Sequence, residues 1–266
     1  MRPTIASSAV IALLVAARAA HCEESADELA KKLSNPVAAM ISVPFQYNAD
    51  FGIGSSDGDR QTLNIQPVIP SSISENTTLI TRVIAPVTYQ HNIAGDSGDD
   101  FGLGDITPTF FLSPKKPGPG GLIWGAGPVF LLPTATDDNL ASEKWGIGPS
   151  VVLLKQIEGG WTYGALVNHI WSVAGSSNRA DISSTFLQPF LSKGLGKGRT
   201  LGVNFESTYD WERSTWNIPL NLTYTKVTKL GGQLVSYGGG VRYYFETPGD
   251  GPDWGVRLIV TLLYPK

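Results

Sequence analysis

The chain has 266 residues, enough for one large domain or two small ones. Charged residues make up 16 %, against roughly 25 % in an average soluble domain, and with a net charge of −3 no basic surface for nucleic acid is expected. One cysteine excludes an internal disulfide framework and any multi-cysteine metal centre. His21, His91 and His169 show no metal-ligand spacing, so neither a metal site nor a cofactor is expected.

Arg2 precedes an apolar run over 9–17, and Ala17-Arg18-Ala19 places small residues at the two positions a signal peptidase reads. Residues 1–19 are therefore expected to be a secretory signal peptide. A spanning helix needs about 20 apolar residues, and Arg18 with the stretch 21–24 cuts this run short. Cys22 raises lipidation, but His21 is a poor residue just before a lipidated cysteine. Residues 20–35 hold the one helix-like stretch: Leu29 and Leu33 fall four apart, and Asn35-Pro36 ends the pattern. This segment is a candidate plug for the structure that follows it.

From Pro36 to Lys266 the period is two. Twelve β segments are predicted, at about 36–48, 61–70, 79–90, 103–113, 122–133, 145–154, 161–173, 182–192, 200–210, 215–225, 233–246 and 254–264. They exceed the roughly 5 to 6 residues of an ordinary strand and match the about 9 to 11 tilted residues that cross a bilayer. Alternation is clearest near the C-terminus. Trp254, Val256, Leu258, Val260, Leu262 and Tyr264 share one parity; Arg257 and Thr261 share the other. Segment 182–192 is ambiguous, because Gln188 suits either face.

Charge sorts the connections into two kinds. Those at 49–60, 91–101, 134–144, 174–181, 210–214 and 247–253 carry 14 acids and 4 bases. The intervening turns at 71–78, 114–121, 155–160, 193–199 and 226–232 carry 2 acids and 8 bases. An up-and-down meander with an even strand count separates its connections in this way. The predicted fold is all-β: an antiparallel up-and-down transmembrane β-barrel of about twelve strands over 36–266. Both termini are periplasmic, and a short helical segment precedes the barrel. A soluble β-sandwich would keep Lys and Glu on its solvent face, whereas these strands are nearly free of charge.

Six charged residues remain inside the predicted strands: Arg82, Asp105, Glu206, Arg242, Glu246 and Arg257. By parity all six fall on the polar face, as a barrel requires, since an Arg or Lys facing lipid at the midplane costs about 2–4 kcal/mol. With Asn204, Asn217 and Asn221 they are the expected channel-lining residues. Three Arg matched by three acids point to ion pairs that lock the lumen or to a selectivity filter.

The stretches LAKKLSNPVAAMISVPFQYNADFGIGS (29–55), GLGDITPTFFLSP (102–114), WTYGALVNHIWSVAG (161–175) and GPDWGVRLIVTLLYPK (251–266) carry a resemblance. LNIQPVIP (63–70), KWGIGPSVVLL (144–154) and FLQPFLS (186–192) extend it over about 28–266. The chain resembles a family of bacterial outer-membrane barrels assigned to transport in the MetA pathway of phenol degradation, whose members often carry the name "neuromedin U". The resemblance implies an outer-membrane barrel passing small hydrophobic or aromatic compounds, and it supplies no individual binding residue.

Enzyme motifs fail on inspection. His21-Cys22 and Gly95-Asp96-Ser97-Gly98 imitate protease signatures, but His21 lies at the signal junction and Asp99 replaces the glycine expected after Gly98. Gly194-Leu-Gly-Lys-Gly-Arg-Thr200 lacks phosphate-loop spacing. An outer-membrane lipid hydrolase is the one serious enzyme alternative. Yet His169 and Ser172 are three apart, which puts them on opposite faces of a strand, so no catalytic residue is assigned. The expected function is passive passage of a small molecule across the bacterial outer membrane, and the alternatives are a closed structural barrel and a lipid hydrolase. Expected partners are outer-membrane lipid, lipopolysaccharide and the assembly machinery, which reads a C-terminal strand such as the one ending Leu262-Leu263-Tyr264; the transported solute is unnamed. The acidic connections are candidate sites for divalent cations beside lipopolysaccharide.

Overall fold

The computed structural model describes residues 24–93 and 98–265. The expected signal peptide, His21, Cys22 and the motif at 95–97 lie outside the described residues. One helix, α1 (Ala26–Leu33), precedes a closed antiparallel barrel. Twelve staves form its wall. They are β1 (Ile41–Ile53), β2 (Gly58–Ile65, continued by Val68–Ser72), β3 (Thr77–His91), β4 (Asp99–Leu103, continued by Thr107–Pro114), β5 (Leu122–Leu131) and β6 (Lys144–Ile157). Then come β7 (Trp161–Gly175), β8 (Ser183–Gly196), β9 (Arg199–Phe205, continued by Ser207–Asp210), β10 (Thr215–Asn217, continued by Pro219–Leu230), β11 (Gln233–Tyr244) and β12 (Trp254–Tyr264). Each stave pairs with its sequence neighbours, and β1 closes on β12 with Ile41 opposite Tyr264 and Phe51 opposite Trp254. Pro67 and Pro219 accompany the interruptions of β2 and β10, since proline brings no N–H to a ladder.

The wall has inside-out polarity. On β12, Trp254 is 51 % and Leu258 58 % exposed, while Arg257 between them is 2 % exposed. On β6, Trp145, Ile147, Val151 and Leu153 are exposed; Lys144, Ser150, Val152 and Leu154 are buried. Burying alternate residues in the lumen leaves the apolar set outside. No helix is long and apolar enough to cross a membrane, which says nothing of strands.

Several boundaries differ from expectation, those around the first strand with the most consequence. The first strand begins at Ile41, not Pro36, and runs on to Ile53. Residues 36–40 are all apolar or small and give no parity signal, and Val37 and Met40 are buried in apolar clusters that include the N-terminal segment and wall residues. Asp50, Asp59 and Arg60, expected in a loop, are strand residues of β1 and β2.

Candidate functional site

The lumen has two halves. Its loop-end half is charged and hydrogen-bonded. Arg257 donates from Nη1 and Nη2 to the two carboxylate oxygens of Glu206, at 2.9 and 2.8 Å, and from Nε to Asn48 Oδ1 at 2.7 Å. A two-pronged pairing of this kind fixes orientation as well as charge. Arg242 reaches Asp50 at 3.3 Å and Glu206 at 4.0 Å, and its guanidinium lies 5.4 Å from the Tyr244 ring centroid. Asn48 and Asp50 stand on β1, Arg242 on β11, Arg257 on β12, and Glu206 at the interruption of β9. The cluster therefore ties β9 to staves that are not its neighbours. Beside it, Asn221 donates to Asn204 at 2.9 Å. A cavity of about 660 Å³, lined by Asp50, Arg60, Asn217 and Tyr244 among others, opens above it.

The turn-end half is apolar and holds the N-terminal segment. Ser25 caps α1: its hydroxyl accepts from Glu28 N–H at 3.2 Å, and Glu28 accepts from Ser25 N–H at 3.0 Å. Leu29 is fully buried and clusters with Met40, Val227 and Leu263. Val37 clusters with Ile80, Phe111, Val152, Leu154 and Leu166. Two glycines make the seats. At Gly125 a Cβ would lie 3.0 Å from Val37 and 3.2 Å from Phe111. At Gly198, which has a φ of +72°, it would lie 3.0 Å from Ala26, and the Gly198 N–H donates to Asp27 at 2.6 Å. Gln156 adds a hydrogen bond to the Lys31 carbonyl at 2.8 Å. Between the halves, Arg82 of β3 donates to Gln66 at 3.1 Å. It borders a cavity of about 200 Å³ that Leu33, Met40 and Gln188 also line.

The structure thus gathers Arg242, Arg257 and Glu206 in one cluster, places Asn204 and Asn221 together, and sets Asn217 in the loop-end cavity and Arg82 nearer the helix. Two others stand elsewhere. Asp105 accepts hydrogen bonds from the backbone N–H groups of Thr134, Ala135 and Ser142, so it organises the 132–143 connection. Glu246 is exposed and lies past the end of β11. Sequence reasoning missed Asp50, Asn48, Arg60, Gln66 and Tyr244. Extending β1 in register would have found Asp50; Asn48, already inside the predicted strand, shares with it the even parity of the buried Ser42. Gln188 lies opposite Glu206 across β8 and β9, and its amide points to that carboxylate at 3.5 Å.

At the loop end, the connections before β6 and after β7 are clasped together. Arg179 donates to Glu143 at 2.7 Å, and Lys144 pairs with Asp181 at 2.9 Å. The Arg179 hydrogen bond holds the Glu143 carboxyl below its ordinary pKa, and the Lys144 hydrogen bond does the same for Asp181. On the outer face, His169 lies against Trp171 with ring centroids 4.1 Å apart and planes tilted by 45°, and it hydrogen-bonds Thr185 at 2.7 Å. Ser172 is turned away from it and binds Asp181 at 3.3 Å. Among the described residues, no group of three or more His, Cys, Asp or Glu is placed to hold a metal.

No protein-family model and no curated protein matches the chain. Solved structures do. The chain is similar to an outer membrane channel from Pseudomonas putida F1 at a TM-score of 0.66 and 16 % identity, over 85 % of this chain and 96 % of that one. The β domain of the Bordetella autotransporter BrkA aligns at a TM-score of 0.46 and 13 % identity, over 85 % and 100 % of the two chains. The first likeness shows a shared barrel fold.

Proposed function

We propose that this protein is a passive channel for small solutes in the bacterial outer membrane, reached after removal of the signal peptide. The inside-out wall carries the reading: Arg257 and Asn221 are buried inside while Leu258 and Trp254 face outward. Water cannot be the solvent of that outer face without a large apolar patch, whereas lipid can. The polar lumen and its cavities supply a route, and the barrel fold shared with a known channel supports it. The N-terminal segment acts as a plug that narrows the turn end. Passage then requires the Arg257–Glu206 bridge or the helix to shift. The resemblance to the MetA-pathway family adds small hydrophobic or aromatic compounds as the solute class. The C-terminal strand serves the assembly machinery, and the acidic connections face lipopolysaccharide.

The test is heat-modifiability of the refolded protein together with planar-bilayer conductance. A heat-shifted gel band with discrete conductance steps is expected. A heat-shifted band without steps would replace the channel with a closed structural barrel. Solubility without detergent and no shifted band would overturn the membrane reading.

A second reading, a lipid hydrolase, has one observation in its favour: His169 Nε2 lies 3.5 Å from Ser183 Oγ, on the neighbouring stave. Hydrolysis of phospholipid micelles that disappears in His169→Ala would establish it.

A further inference from the structure

Arg82 differs from the other two arginines of the predicted lining. Arg242 and Arg257 are both paired with carboxylates. Among the described residues, Arg82 has no carboxylate oxygen within 4.0 Å, and its guanidinium makes a single hydrogen bond, to Gln66. Glu206 attracts it electrostatically but is engaged on both oxygens by Arg257. A buried or half-buried guanidinium is stabilised by a partner that accepts its fork of N–H groups. Here that fork borders a cavity of about 200 Å³. The volume is below the roughly 300 Å³ at which drug-sized pockets begin, so it suits one small molecule.

The rest of the lining limits that molecule further. Gln66 and Gln188 place amides near the guanidinium, and Leu33, Met40 and Val68 form an apolar wall. The other cation of the cavity, Lys32, is already paired with Glu24. We propose that this cavity is a binding subsite for a small monocarboxylate with an apolar body. The carboxylate accepts from Arg82, and the apolar body lies against Leu33 and Met40. The inference rests on the channel reading for its physiological meaning, since it names a solute class that the channel would pass. It also explains why the site is half wall and half N-terminal segment: a bound carboxylate would touch both.

The experiment is ligand binding to the full chain in detergent, followed by calorimetry or ligand-observed NMR, with benzoate, benzyl alcohol and inorganic phosphate as probes. Benzoate is expected to bind at least tenfold tighter than either of the others. Arg82→Gln should remove that preference, and Arg82→Lys should keep part of it, with a heat-shifted band confirming that each variant folds. Equal binding of benzoate and benzyl alcohol by the unaltered protein would overturn the proposal without any variant. So would phosphate binding as well as benzoate, or benzoate binding unchanged in Arg82→Gln. Conductance is measured separately. Arg82-dependent benzoate binding in a barrel that does not conduct would keep the subsite and end the channel reading.

Discussion

The two halves of the lumen are filled by opposite chemistry. The loop-end half is held by Arg242, Arg257, Asp50 and Glu206, whose contacts are directional and charged. The turn-end half is held by Leu29, Val37, Met40 and their apolar neighbours, whose contacts are nondirectional. The first half is built from the wall itself and braces β9 against β1, β11 and β12. The second half is completed by a segment that reaches the wall only through packing and a few hydrogen bonds. The contrast teaches that one barrel can be filled in two ways: the charged half braces the wall from within, and the apolar half is filled by a segment that is not part of the wall.

That contrast can be broken from the charged side with the largest expected effect. Arg257→Met leaves Glu206 with Arg242 at 4.0 Å and the Gln188 amide at 3.5 Å. Removing one partner of a buried pair costs about 3–5 kcal/mol, so urea unfolding in detergent should show a loss of that size, and adding Glu206→Gln should recover most of it. A loss of less than about 1 kcal/mol, the range of exposed pairs, would mean that the bridge does not brace the wall.

On the apolar side, Leu29→Ala deletes a fully buried side chain. The expected cost is about 2–5 kcal/mol, but it should fall on docking of α1 and not on the wall. Trypsin cleavage after Lys31 or Lys32 should accelerate while the heat-shifted band persists. A smaller effect of the same kind is expected for Ser25→Ala, about 0.5–2 kcal/mol from the lost cap. If both variants lower the urea stability of the wall as Arg257→Met does, the two halves are one cooperative unit.

The smallest effect is the acid response of the loop-end clasp. Glu143 and Asp181 have pKa values below those of the unfolded chain. Their contribution is therefore present above the ordinary carboxylate pKa and is lost as pH falls through the depressed folded values. Hydrogen-exchange protection of 176–182, corrected for intrinsic rates, should fall below about pH 4 while protection in β12 is retained. Protection in 176–182 that does not change with pH would show that the clasp contributes nothing.

The legibility of the molecule divides along similar lines. β11 and β12 could be read from sequence because their two parities differ sharply in polarity, as at Val241 and Arg242 or Arg257 and Leu258. Residues 36–40 could not, because all five are apolar or small, which leaves no polar parity to separate a wall strand from a segment buried in the lumen. Asp50 was assigned to a loop by a strand end placed too early, and so the carboxylate facing Arg242 was missed. Asp105 looks like a lining residue by parity alone. Only the fold reveals that backbone N–H groups of a distant connection surround it. The same holds for Gln188, whose direction is set by its partner across the ladder.

The most direct measurement compares single-channel conductance of the unaltered protein with that of a chain lacking residues 24–40, the whole luminal segment before β1. Both should give a heat-shifted band, and the shortened chain should pass larger current steps, because the apolar turn end would then be open. Equal steps from the two proteins would contradict the assignment of that half of the lumen to the N-terminal segment. No steps from either would contradict the channel itself.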